Sequence, residues 1–226
     1  MTINLDMVSD VVCPWCWLGL RRVEAAIEIF GSDKVTLNMR PFQLDANVAP
    51  EGVDYKEYMR NKFGDTSSDN KWTQMREHLE AAGQAENIPF RFDGIPKRAN
   101  TFNAHRIIRW AQGQSVDGKS LGPKAAEAFF HAYFKRHKDL NDTQTLLSLS
   151  EQIGLIPEVI EKLLGEDADV KSLQEEEAFF RNLGVSGVPT FIANGKYAIQ
   201  GAQEVSALVI FLEQVEAGPN IPEEPA

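Results

Sequence analysis

The chain has 226 residues, 43% of them hydrophobic, which is enough to bury a core as one large domain or two small ones and excludes disorder as the main state. With 33 acidic against 23 basic residues its formal charge is -10, a balance that repels phosphate backbones and anionic lipid over a Debye length of about 8 Å. Neither nucleic acid nor a membrane is therefore an expected partner.

The opening residues, MTINLDMVSD, hold no basic segment and no apolar run of the roughly 7–15 residues a signal peptide needs. No stretch approaches about 18 consecutive apolar residues, so the expected location is the cytoplasm. Ile3, Leu5 and Met7 alternate with Asn4 and Asp6, which is strand periodicity. Both cysteines follow at once, in VVCPWCWLGL at residues 11–20. Leu18, Val23, Ala26, Ile27 and Phe30 then mark an amphipathic helix stopped by Gly31, and Val35, Leu37 and Met39 alternate again. Strand, helix and strand predict a parallel βαβ unit with a right-handed crossover.

Between Phe42 and Gly187 the alternation disappears and helical stripes take over. Ala104, Ile107, Ile108 and Ala111 form one, and Ala126, Phe129, Phe130, Tyr133 and Phe134 another, both spaced for a bundle core. DGIPK at 93–97 breaks the chain, QSVDGKSLGP at 114–123 reads as a loop, and Glu175 to Glu177 as a solvated helix face. Residues 187–203, GVPTFIANGKYAIQGAQ, predict two strands joined at Asn194-Gly195, the pair a type I′ turn prefers. A last helix carries Val205, Leu208, Val209 and Leu212, and the Pro- and Glu-rich residues after Gly218 are expected to be loose.

The two cysteines, Cys13 and Cys16, could bind metal, staple a loop or carry electrons. A structural zinc site wants about four Cys or His ligands, and His78, His105, His131 and His137 are not spaced to complete one, so no metal is expected. A reducing cytosol disfavours a structural disulfide. Two inert core cysteines stay a lesser alternative; the redox reading leads, and the position supports it. Pro14 suits the first position of a helix, which puts Cys13 at the cap and Cys16 three residues on, with Cβ atoms about 5–6 Å apart. The Cys13 sulfur is expected to face the N–H groups of Trp15 and Cys16 at the positive helix end, which favours thiolate and makes Cys13 the attacking sulfur. Cys16, a turn further in, is expected to stay buried and protonated until it resolves the mixed disulfide. Pro-Trp supplies no cation, which places the expected potential between a reductase and a strong oxidant.

Other residues allow two readings each. Pro189 either starts an edge strand or follows a cis bond from Val188 that turns the chain toward the cysteines and leaves the Val188 backbone free for a substrate strand. Trp15 either shapes an apolar docking surface or packs on the helical segment. Asp10 either tunes proton transfer or is an ordinary loop carboxylate, and His105, on an apolar helix face, reads first as a hydrogen-bonded structural histidine.

Taken together, DVVCPWCWLG at 10–19, RPFQL at 40–44, NTFNAHR at 100–106, GVPTF at 187–191 and GAQ at 201–203 resemble the thioredoxin superfamily, and within it the DsbA-like group of the FrnE type. The resemblance implies an α/β, thioredoxin-like fold, βαβ plus ββα, interrupted by an all-helical insertion, with core parts at 1–48 and 169–226 and the insertion at 49–168. It also implies thiol-disulfide oxidoreductase activity, a cis Pro189 facing the cysteines, and Asn100 and His105 as candidates for lining the cleft. No cofactor is required; expected partners are proteins with thiols or disulfides, and glutathione could act as redox co-substrate. Some members carry extra C-terminal cysteines that this chain lacks, which excludes an internal relay. Kappa-class glutathione transferases and 2-hydroxychromene-2-carboxylate isomerases are similar in core and insertion, and give the alternative of a glutathione-dependent enzyme acting on a small molecule. They typically have serine where Cys13 stands and lack the second cysteine. A binding or chaperone module is a third class, for which the pair would be superfluous.

Overall fold

The computed structural model describes residues 2–64 and 71–218, so the segment after Gly218 expected to be loose lies outside the described residues. The predicted βαβ unit is β1 (Ile3–Ser9), α1 (Pro14–Phe30) and β2 (Val35–Pro41), with β1 and β2 parallel and Met7 opposite Met39. Gly31 ends α1 at φ 126°, a left-handed conformation natural to glycine.

The chain then leaves the sheet. It runs through β3 (Val53–Asp54), α2 (Tyr55–Phe63), α3 (Lys71–Ala85), β4 (Lys97–Arg98), α4 (Phe102–Gln112), β5 (Ser115–Val116), β6 (Lys119–Ser120) and α5 (Gly122–Phe134). It continues through α6 (Thr143–Ile153), α7 (Pro157–Leu164) and α8 (Val170–Asn182). It returns as β7 (Thr190–Ala193), β8 (Tyr197–Gln200) and α9 (Val205–Ala217). Among the described residues the main sheet has the order β2-β1-β7-β8, with β1 parallel to β2 and antiparallel to β7. A βαβ unit and a ββα unit thus share one sheet around a helical insertion, the thioredoxin-like architecture.

Both predicted stripes face inward: Ala104, Ile107, Ile108 and Ala111 of α4 are buried, as are Ala126, Phe129, Phe130, Tyr133 and Phe134 of α5. Trp17 joins core to insertion. Its ring, buried on α1, lies 5.4 Å from Phe90, 6.2 Å from Phe130 and 6.0 Å from Phe134, and its indole N–H donates to Glu127 at 2.8 Å. Covering such a ring is worth a few kcal/mol, about 1.5–3 for a large apolar side chain.

Two expectations change. Residues 114–123 are not a plain loop: Asp117 (φ 51°) and Gly118 (φ 76°) make a tight turn that pairs Ser115 with Ser120, and two-residue strands are too short to show alternation. The run Glu175 to Glu177 is not simply solvated. Glu176 accepts from Arg40 at 2.9 Å, while Glu177 accepts the Gln43 N–H at 2.8 Å and Arg181 at 2.7 Å, tying α8 to the end of β2. The last helix and the Asn194-Gly195 turn, with φ of 51° and 66°, are where the pattern placed them.

On α1, Glu24 is pushed up to about 7 by burial and then by the neighbouring Glu127 carboxylate. Its unfolded carboxyl ionises near the ordinary glutamate value of 4.5, so the folded state holds an extra proton between that pH and about 7, and stability falls as pH rises through this window. Glu24→Gln should therefore be more stable than wild type by roughly 1–2 kcal/mol at about pH 8, allowing for partial exposure, and should converge on it at acid pH. Urea denaturation at a series of pH values measures this difference.

Candidate active site

The site begins where β1 ends. Asp10, Val11 and Val12 turn the chain, the Cys13 N–H donates to the Asp10 carbonyl at 3.0 Å, and Cys13 caps α1 with extended backbone (φ -99°, ψ 111°). Pro14 occupies the first helical position, where its fixed φ fits and its missing N–H would have no partner. Cys13 is 5% exposed and Cys16 fully buried, both sulfurs are free, and Pro14 and Trp15 are half-buried.

The opposite wall comes from the far end of the chain. The Val188-Pro189 peptide bond is cis, and the Cys13 thiol donates to the Val188 carbonyl with Sγ at 3.6 Å. The Pro189 carbonyl accepts the Gly201 N–H at 2.8 Å and Thr190 Oγ1 donates to the Gly187 carbonyl at 2.7 Å, which holds this bend in place. Cys13 stands at the cap as expected, but no bond joins its sulfur to the N–H groups of Trp15 and Cys16, the expected partners. The Cys16 N–H donates to the Cys13 carbonyl at 3.0 Å instead, and the sulfur turns to Val188.

Gly19, which its helical stripe does not mark as functional, makes this approach possible. A Cβ at that position would lie 2.8 Å from Pro189 Cγ and 3.4 Å from the Phe191 ring. A glycine inside an otherwise helical pattern is the sequence signal for such close contact.

Burial pushes the Cys16 thiol well above its ordinary range, with the Cys13 sulfur next and the Asp10 carboxylate adding to it, while the Asp10 main chain pulls the other way. Asp10 itself is buried beneath the turn. Its Oδ2 accepts the Leu44 N–H at 2.8 Å, and its Oδ1 lies 3.5 Å from Nε2 of buried His105, an ion-pair distance too long for a formed hydrogen bond. Burial pushes the Asp10 carboxyl up, but His105, Arg98 and the Leu44 N–H more than offset this and hold it below the usual range. Arg98, buried, donates to the Val12 carbonyl at 3.0 Å and to Asp45 at 2.6 Å, over the Tyr58 ring. Nothing in the two-residue β4 singles Arg98 out in the sequence.

Of the remaining candidates, Trp15 packs on the insertion, its ring 5.5 Å from exposed His78 of α3. The Asn100 side chain is engaged in joining segments: Nδ2 donates to the Val48 carbonyl at 2.7 Å and Oδ1 accepts the Phe102 N–H at 3.0 Å. Among the described residues no group of three His, Cys, Asp or Glu side chains is placed to hold a metal ion, and no helix is long and apolar enough to cross a membrane.

Residues 4–213 match the DSBA-like thioredoxin domain family. The chain belongs to this family. The DSBA-like fold is similar to that of a probable DsbA oxidoreductase from Streptomyces coelicolor, with a TM-score of 0.84 and 25% identity over 99% of this chain and 94% of that one. Glutathione S-transferase kappa 1 of Rattus norvegicus is 23% identical over 96% of this chain and 94% of its own length. Cytosolic disulfide reductase DsbM of Pseudomonas aeruginosa, solved with GSH, has a TM-score of 0.64 and 18% identity over 93% of this chain and 97% of that one.

Adding the missing Cβ tests the wall. Gly19→Ala should push the Pro189 ring away, lower stability by about 1 kcal/mol despite the better helix propensity of alanine, and slow the reaction of Cys13 with a chromogenic disulfide roughly tenfold. Thermal denaturation and stopped-flow kinetics read the two effects.

Proposed function

We propose that this DSBA-like protein is a cytoplasmic thiol-disulfide oxidoreductase, of the FrnE type, in which Cys13 attacks and Cys16 resolves. The observation that carries the reading is the pair at the start of α1, one sulfur against the Val188 carbonyl beside a cis proline and the other fully buried below it. In reduction, the Cys13 thiolate attacks one sulfur of a substrate disulfide and the other leaves as a thiolate that takes a proton from water. Cys16 then gives up its proton, bonds to the Cys13 sulfur and releases the second substrate thiolate. Run backward, the same two steps oxidise a dithiol. An extended substrate segment would pair with the backbone at Val188, flanked by Pro14, Trp15 and Pro189.

No cofactor is needed for these steps. Glutathione is the proposed small partner, supported by the DsbM structure solved with GSH and by the kappa transferase relative. That relative also supports the alternative, a glutathione-dependent transferase or isomerase acting on a small molecule, but in such an enzyme the second thiol has no task. The intact Cys13-Cys16 pair favours exchange.

Cys13→Ser should abolish both insulin reduction and refolding of a reduced, denatured substrate. Cys16→Ser should stall at the first step and accumulate a mixed disulfide on Cys13, seen by intact mass after incubation with oxidised glutathione. Rates for Cys13→Ser equal to wild type in both assays would overturn the proposal.

A further inference from the structure

One side chain of the helical insertion reaches the turn that carries the attacking sulfur. Arg98 of β4 donates from Nη1 to the Val12 carbonyl at 3.0 Å and from Nη2 to the Asp45 carboxylate at 2.6 Å. The Val12 carbonyl and the Cys13 N–H belong to one rigid peptide plane, and that N–H donates to the Asp10 carbonyl at 3.0 Å. The plane is therefore pinned at both ends. The Asp10 pin lies within the turn itself, whereas Arg98 stands 86 residues beyond Val12 in the chain. Among the described residues no other group donates to the Val12 carbonyl.

Stability alone is a poor reason for a guanidinium here. Arg98 is 6% exposed, and its Nε is shielded from solvent with no hydrogen-bond partner among the described residues. A buried charge with a donor left unpaired often costs more than an apolar side chain filling the same space. Asp45 does not depend on Arg98 either, since the Tyr58 hydroxyl donates to the same carboxylate and Lys62 Nζ lies 3.4 Å from it. What the guanidinium adds is geometry. It ties Val12 to the segment after β2, and the sulfur of the next residue stands 3.6 Å from the Val188 carbonyl. A rotation of the Val12-Cys13 plane would carry Cβ and Sγ of Cys13 with it, away from the bend at Pro189.

We propose that Arg98 is a positioning residue: by holding the Val12 carbonyl it fixes the Cys13 peptide plane and keeps the attacking sulfur at the Val188-Pro189 bend, so that the helical insertion governs the first step of exchange. The inference rests on the oxidoreductase reading above. In that step the Cys13 thiolate forms a bond to one sulfur of the substrate disulfide. The substrate S–S bond breaks, and its electron pair leaves on the other sulfur, which takes a proton from water. The three sulfurs react in line, and a misplacement of about 1 Å can cost on the order of a hundredfold in rate. A small alkylating reagent needs an ionised, accessible sulfur but no such alignment. Arg98 acts through Val12 and touches neither substrate nor sulfur.

The test compares an aligned reaction with an unaligned one in the full chain. The aligned reaction is attack on an extended peptide whose cysteine is joined to thionitrobenzoate, with release of the chromophore followed by stopped flow. The unaligned one is alkylation of Cys13 by iodoacetamide. Both are run at a pH where the rates of each protein have levelled off, so that ionisation does not enter. In Arg98→Met the peptide reaction should slow by at least about tenfold while alkylation stays within about twofold of wild type. Asp45→Asn, which leaves the bond to Val12 in place, should react as wild type does in both. A wild-type rate of Arg98→Met with the peptide would overturn the inference. So would an equal change in its two reactions, which marks a general loosening, or an equal loss in Asp45→Asn, which marks charge pairing. Should Arg98→Met not fold, Arg98→Gln, whose amide ends two bonds short of the Nη atoms, is judged by the same two rates. Wild type that leaves the peptide disulfide intact, or Cys13→Ser that attacks it as fast as wild type, sinks the oxidoreductase reading instead, since neither outcome involves Arg98.

Discussion

Helix α1 rests directly on the Pro189 ring because residue 19 contributes no side chain between them. Much of the site depends on that contact. It sets the depth at which Cys13 meets the Val188 carbonyl, and it sits between two other ties of the same helix. On one side Arg22 donates to the Ala202 carbonyl at 2.8 Å and pairs with Glu86 of the insertion at 3.1 Å; on the other Trp17 is locked among the aromatic rings of the insertion. One helix thereby fixes the first strand-helix unit, the returning hairpin and the insertion against each other, and the cysteines occupy its end.

Two carboxylates, Asp10 in the turn before this helix and Glu24 on it, show how environment assigns opposite behaviour to similar groups. Both Asp10 and Glu24 lose water on folding, which raises a carboxyl. Asp10 meets an imidazole, a guanidinium and a backbone N–H, and remains ionised; Glu24 meets Glu127 and Glu28 with only partial relief from Arg21 and Lys119, and takes up a proton. The charge near the cysteines is thus fixed by neighbours from the turn before α1, β4 and α4. A buried charge of this kind persists where its partners are good, as Arg98 shows with one bond to Val12 and another to Asp45.

How much of this is legible in the sequence follows from the range of each interaction. Alternation at Ile3, Leu5 and Met7, the stripes of α4 and α5, the Asn194-Gly195 turn and Pro14 after Cys13 are local patterns, and the elements they mark are present. The assembly of the site is long-range. Arg98 reaches Val12 and Asp45, Glu177 reaches Gln43, and Gly19 meets Pro189; a glycine within a helix signals a close approach, but no local pattern names the partner in any of these pairs. Asp10 and His105 are visible as single residues, but their opposition across the boundary between core and insertion arises only when α4 packs behind the cysteine turn. The two-residue strands β3 to β6 are too short for any periodicity to register.

The central position of β1 has a consequence for how the chain is made. Its inner neighbour β7 pairs Ala193 with Leu5 and Thr190 with Val8, so β1 leaves the ribosome roughly 180 residues before the strand it pairs with, about 190 against about 5 in the chain. At about 5–20 residues per second that delay is about 10–40 s, during which one edge of an apolar strand has no partner and is open to wrong pairing or to a chaperone. A nascent chain halted before residue 188 carries both thiols without the bend that flanks them, so the sulfurs emerge early while their surroundings are completed late.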